Sequence, residues 1–135
     1  MKKLIYLIAA MALFSCNKDD DNNPPEITMQ SLAGDYMITS AKVNGIDVLD
    51  TYLDPCQQDD VYTLQADGTY TITDAGTTCN PRSDTTGTWS LSGNIITIGT
   101  QQFTIVNFNG STIEATTSVM QGPITVPVDV VFTRQ

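Results

Sequence analysis

From Ile124 to Phe132 every second side chain is apolar, and the positions between them carry Thr, Pro, Asp and one Val. A period of two sends alternate side chains to opposite faces of an extended chain, so this segment predicts a strand with one face in a core. Pro127 falls on the other face and cannot donate to a ladder, which predicts a bulge or an edge there. From Ser31 onward such alternation recurs between Gly, Asn and Asp, and no segment shows the apolar period of a helix. Strands are predicted near 35–43, 45–49, 59–65, 69–74, 87–91, 95–99, 102–108, 111–119 and 124–133, the first two being two strands or one bent one. Asn109-Gly110 reads as a two-residue hairpin turn with φ > 0 at both positions, and Ser92-Gly93-Asn94 marks another hairpin. Short links of this kind predict an all-β fold, an antiparallel up-and-down meander curled into an eight-stranded barrel, with its closure beside Pro127 left open.

One hairpin allows its register to be derived. A two-residue turn at Asp67-Gly68 would put Tyr62 and Leu64 on the face opposite Tyr70 and Ile72. A three-residue loop, Ala66-Asp67-Gly68, pairs 62 with 72 and 64 with 70 and unites all four apolar side chains, so that loop is predicted. Extended, the same register brings Cys56 within one position of Cys79. A disulfide needs Cα atoms within about 7 Å, so the two are expected to bridge. A redox or metal role for the pair lacks both a CxxC spacing and any histidine.

The other end of the chain carries an address. Behind Met1-Lys2-Lys3, the run from Leu4 to Phe14 has 11 residues and no charge. That is the pattern of a signal peptide, well short of the ~20 residues that span a bilayer. It closes on Leu13-Phe14-Ser15-Cys16, which resembles the lipobox of bacterial lipoproteins, although Phe14, two places before Cys16, stands where a small residue is commoner. The resemblance implies cleavage before Cys16 and lipidation of that residue; the competing reading is an ordinary secretory signal ending on a chance cysteine. Asn17 to Glu26 contain no aliphatic residue and cannot bury enough surface to order themselves. The chain is thus expected to divide into a signal peptide (1–15), a lipidated cysteine with a disordered acidic stalk (16–30) and one domain (31–135). Lys18-Asp19-Asp20-Asp21 also resembles the surface-export signal of Bacteroidetes lipoproteins, while a plain solvated linker has the same composition. Both readings place the domain outside the cytoplasm, held at the outer membrane by lipid alone; the export signal would add display at the cell surface.

Charge and chemistry narrow the function. Without residues 1–15 the chain has four basic side chains against fifteen acidic ones. Nucleic acid, which demands a basic stripe, is excluded as a partner. With no histidine in the chain, Ser/His and Cys/His nucleophiles are not available. Asp50, Asp54, Asp59 and Asp60 are the remaining cluster that could supply acid–base groups or calcium ligands, and their spacing matches no metal signature. No catalytic residue, metal or cofactor is expected, and the protein is read as not an enzyme.

In order and spacing, Leu32-Ala33-Gly34-Asp35-Tyr36, Asp54-Pro55-Cys56-Gln57-Gln58-Asp59-Asp60, Asp67-Gly68-Thr69-Tyr70, Cys79, Gly87-Thr88-Trp89-Ser90 and Ile95-Ile96-Thr97-Ile98 resemble the lipocalin-like domain of Bacteroidetes lipoproteins. The resemblance covers about residues 31–134. It implies a barrel closed at one end by a Gly-x-Trp motif packed on a late Arg; here Tyr36 takes the place of Trp. Arg134 has the parity to lie across it, a contact worth ~1 kcal/mol, unless it is simply a solvated terminal residue. The resemblance further implies a cup for a small hydrophobic ligand, whose interior candidates are Tyr62, Leu64, Tyr70, Ile72, Trp89, Ile96, Ile98, Phe103, Ile105, Val126, Val128 and Val130. Eight strands leave room for side chains or for one ligand, so a completely filled core is the other reading. In that case the domain is a surface interaction or structural module for an unidentified protein partner. Loop 75–86, with Asn80-Pro81-Arg82-Ser83-Asp84 beside the disulfide, would then be the presenting element.

Overall fold

The computed structural model describes residues 23–135; the expected signal peptide, Cys16 and the stalk as far as residue 22 lie outside the described residues. One turn of helix, α1 (Met29–Leu32), leads into β1 (Gly34–Val43) and the short β2 (Ile46–Asp47). A second helical turn, α2 (Leu49–Tyr52), and a tight turn at Pro55–Gln57 come next. Seven strands follow: β3 (Val61–Leu64), β4 (Thr69–Thr73), β5 (Thr85–Ser92), β6 (Ile95–Ile98), β7 (Gln101–Phe108), β8 (Thr112–Gln121) and β9 (Ile124–Arg134). From β3 to β9 each strand pairs antiparallel with the next, while β1 pairs with both β3 and β9. Eight strands therefore close into a barrel, and β2 hangs on β1 as a short extra strand.

Apolar parity and turn chemistry determine the register where they agree. Tyr62 pairs with Ile72 and Leu64 with Tyr70 around a three-residue loop whose Gly68 has φ +89°. Beyond the end of that ladder Cys56 and Cys79 are bonded, with Cα atoms 5.2 Å apart. Pro127 sits on a half-free edge: it opposes Ser118 on β8, whereas β9 reaches β1 only from Asp129 onward. On the other side of β1 the ladder to β3 is only the three pairs from Gly34 to Tyr36.

Three local expectations are corrected. The packed chain starts before residue 31, because Thr28 caps α1 by accepting from the Ser31 N–H and both Ile27 and Met29 lie against the core. The strand expected at 45–49 shrinks to Ile46–Asp47, because the Leu49 N–H bonds the Asp47 carboxylate and turns the chain into α2. The β7–β8 turn is centred on Gly110 and Ser111 rather than on Asn109-Gly110. Asn109 instead uses its side-chain oxygen to accept from the Ser111 and Thr112 N–H groups, leaving only Gly110 of that pair with positive φ, +90°.

Two bulges decide which side chains enter the barrel. Between Ile38 and Ser40 the β1–β9 register shifts by one, so Tyr36 and Ala41 are both buried although their parity differs. The shift between Ile105 and Asn107 likewise buries both Ile105 and Phe108 and leaves Val106 70% exposed. A bulge adds one residue to one strand and reverses the inward parity beyond it. The buried set includes Leu32, Tyr36, Leu64, Trp89, Ile96, Phe108, Ile113 and Phe132, each stabilising the fold by about 1.5–3 kcal/mol relative to exposure.

The disulfide closes a chain segment separated by 23 positions, for which loop-closure entropy gives about 3 kcal/mol. A Cys56→Ser/Cys79→Ser double variant should lose roughly that much in urea unfolding, and the wild type should match it under reducing conditions. A loss below about 0.5 kcal/mol would show that the carboxylates around the bridge hold this region without it.

Candidate functional site

The two ends of the barrel differ. At the end where β1 begins and β9 finishes, α1 lies across the opening with Leu32 fully buried. The Tyr36 hydroxyl donates to Leu32 O at 2.9 Å, and Arg134 Nη2 donates to Tyr36 Oη at 2.6 Å, Ser31 O at 2.8 Å and Ala33 O at 3.1 Å. The guanidinium carbon stands 5.2 Å from the centre of the Tyr36 ring, within cation–π range. Arg134 thus clamps the last strand, the first strand and the helical plug. Gly34 makes this passage possible: a Cβ there would meet Arg134 Nε at 3.1 Å. Below the plug, Tyr36, Leu64, Ile96 and Ile113 leave a void of only about 10 Å³, barely one water.

Phe132 forms the floor between this filled half and the open end, meeting Phe103 edge-on at 5.3 Å and Tyr62 at 6.1 Å. Above it lie two adjoining hollows, each about 230 Å³, that share Ile38, Gln101 and Phe103. One extends along Ala41, Thr117, Val119, Val128 and Val130, with Tyr52 and Leu53 from the α2 region at its rim. The other extends along Tyr62, Tyr70, Ile72, Ile98 and Phe132. Tyr52 is tied across the mouth to Gln121 at the end of β8 by a 2.7 Å hydrogen bond.

Of the twelve interior candidates, Tyr62, Tyr70, Ile72, Ile98, Phe103, Val128 and Val130 line the hollows, and Leu64 and Ile96 border the small void beneath. Trp89, Ile105 and Val126 border none of these. Trp89 is buried with its indole N–H on Gln65 O at 2.7 Å, Ile105 is buried against the β8 side, and Val126 is half-buried on the edge segment of β9. Sequence reasoning missed Ile38, Ala41, Gln101, Thr117 and Val119. The last two share the inward parity of Ile113 and Ala115, and Gln101 that of Phe103, so a polar residue at inward parity was the available signal.

The four Asp residues do not converge. Asp50 accepts from the Gln58 amide at 2.7 Å, the Asp54 N–H bonds Gln57 Oε1, Asp59 accepts from the Thr77 N–H, and Asp60 accepts from the Ser83 hydroxyl at 2.7 Å. Among the described residues no three acidic or cysteine side chains are placed to hold a metal ion. Asp59 and Asp60 instead join Asp74 in fastening loop 75–86, where buried Asp74 accepts from the Cys79 and Ser83 N–H groups. Burial raises the Asp60 pKa above the usual 3.8; the Ser83 hydroxyl opposes this and the Asp74 charge adds to it. Burial also raises the Tyr62 pKa, helped by the Asp60 charge, so the phenol stays protonated at neutral pH.

With this geometry in view, the lipocalin-like domain family matches residues 32–115, more than half of the chain, and the protein belongs to that family. No curated protein and no solved structure matches the chain. The family's architecture is of a ligand-binding type, and its members are generally not enzymes.

Arg134→Met removes a charged donor shared by three oxygens and should lower stability by about 2–3 kcal/mol in urea unfolding. Arg134→Lys should restore only part, since a compact ammonium does not reproduce the planar guanidinium beside the Tyr36 ring; full restoration would reduce the clamp to a point charge. For Asp60 the sign follows from proton linkage. A folded pKa above 3.8 means that the native state holds the proton more tightly, so stability falls as pH rises from 3.8 through the folded value. Asp60→Asn should therefore gain melting temperature over the wild type as pH rises through that window. A difference that stays flat, or shrinks, would contradict the raised pKa.

Proposed function

We propose that this protein is a membrane-anchored, non-catalytic lipocalin-like lipoprotein whose open cup holds a small apolar ligand. The carrying observation is the asymmetry of the barrel: one half is filled to the size of a water, and the other is hollow and walled mainly by apolar side chains. A merely structural barrel has no need of that difference.

The anchor fits the same arrangement. The described chain enters at the closed end, where Pro25 Cγ lies 3.7 Å from where a Gly110 Cβ would stand, so a tether from a lipidated Cys16 leaves from the end opposite the mouth. Among the described residues no helix is long and apolar enough to cross a membrane. The proposal places the domain outside the cytoplasm, at the outer membrane, facing the surroundings through its mouth, with Lys18 to Asp21 as the signal for surface display. The acidic balance argues against a nucleic-acid partner, and the absence of histidine argues against most hydrolytic chemistry. A second reading, a surface accessory that engages a protein partner, draws on loop 75–86, which is fastened by the disulfide, by Asp74 and by the Arg82–Asp84 ion pair.

Two variants test this. Cys16→Ser should move the protein from the membrane fraction to the soluble one; retention in the membrane would overturn the lipid anchor. Val119→Phe fills the hollow that runs along β8 and β9 and should weaken an apolar fluorescent probe at least ~10-fold while melting within about 3 °C of wild type. Unchanged probe affinity, together with loss of partner capture on deleting loop 75–86, would favour the accessory reading.

A further inference from the structure

The walls of the cup carry information about the head group of what enters it. Every residue lining the two hollows is uncharged. Lys42, the basic residue of β1, is exposed and pairs in register with Asp129. A ligand with a full charge of either sign would be desolvated in the cup without a counter-ion, which is costly unless the charge is paired.

One polar feature faces both hollows. At the lip, β7 and β8 splay apart: the ladder ends at Thr104 and Thr116, and Gln101 bridges the gap with its side chain. Its Nε2 donates to Thr117 Oγ1 and approaches Ser118 O at 3.4 Å and Gln102 O at 3.5 Å. Thr117 Oγ1 in turn donates to Gln102 O at 2.6 Å. Carbonyl oxygens can only accept, so the amide must face the strands with its NH₂, which fixes its orientation. Oε1 is then turned away from the strands at the exposed rim, with no protein partner among the described residues.

We infer that the cup selects an uncharged amphiphile, an aliphatic or ring-bearing molecule with a neutral hydroxyl or amide head that donates a hydrogen bond to Gln101 Oε1. This rests on the ligand-cup reading above and specifies the class of ligand. A fatty acid anion finds no cation among these walls, whereas the matching alcohol finds an acceptor. The Gln101 side chain is a specificity-determining group, since it is the polar side chain that the two hollows share, beside the hydroxyls of Thr117 in one and of Tyr62 and Tyr70 in the other.

Calorimetric titration of the purified domain with n-octanol, octanoate and octylammonium at neutral pH compares one tail with three head groups. Octanol should bind at least ~10-fold more tightly than either ion. Gln101→Leu should weaken octanol about three- to tenfold, with the binding of cyclohexane unchanged. Either ion binding as tightly as the alcohol would overturn the selection and leave the cup intact. An unaltered octanol affinity in Gln101→Leu would overturn the assignment of the head-group site. Failure of octanol, both ions and cyclohexane to bind would overturn the cup itself and the inference with it.

Discussion

A guanidinium withdrawn from water needs partners, and Arg134 finds them without a carboxylate. Backbone oxygens of Ser31 and Ala33, the Tyr36 hydroxyl and the Tyr36 ring surround it, all from the segment that begins the domain. Charged hydrogen bonds of this kind are each stronger than neutral ones, and all three run from Nη2, while the buried Nε has no partner among the described residues. Because Arg134 ends the final strand, the contact joins the two extremes of the barrel and holds α1 over its opening. The short β1–β3 ladder stands beside the same clamp, so three strands and the plug depend on one side chain.

The asymmetry of the barrel follows from that closure. With the plug, Tyr36 and Ile113 filling one half, Phe132 becomes a floor, and the aromatic contacts with Tyr62 and Phe103 keep it level. Above the floor, the strands separate faster than their side chains can fill the space: Ala41 and Val119 are small, and the β7–β8 and β1–β3 ladders both end early. The loop fastened by Asp60, Asp74 and the disulfide stiffens the wall behind Tyr62. Shape and rigidity in the open half are thus consequences of how the closed half is made.

Much of this architecture was legible in the residues. Alternation in 124–132, the loop demanded by uniting Tyr62, Leu64, Tyr70 and Ile72, and the cysteine pair at its base required only the geometry of strands and turns. The bulges were not legible, because nothing about Thr39 or Val106 announces an extra residue, and each reverses the parity that identifies inward side chains. That is why Phe108 and Ala41 escaped a reading in which Ile105 and Val130 were found. The start of the domain was placed too late for a related reason: Thr28 and Ser31 form a cap whose meaning depends on Leu32 having a barrel to plug. Gln101 and Thr117 were visible as polar residues at inward positions, but only the splayed lip gives them a role.

The claim on which the rest depends is that the barrel is hollow at one end and solid at the other. Methyl-resolved NMR under xenon pressure reads this directly, since an apolar gas enters dry apolar cavities and shifts the methyl groups around it. Shifts should be confined to the methyl groups around the two hollows, among them Ile38, Ala41, Ile72, Val119, Val128 and Val130, with Leu64, Ile96 and Ile113 unmoved. Equal shifts in both sets, or none in either, would contradict the account.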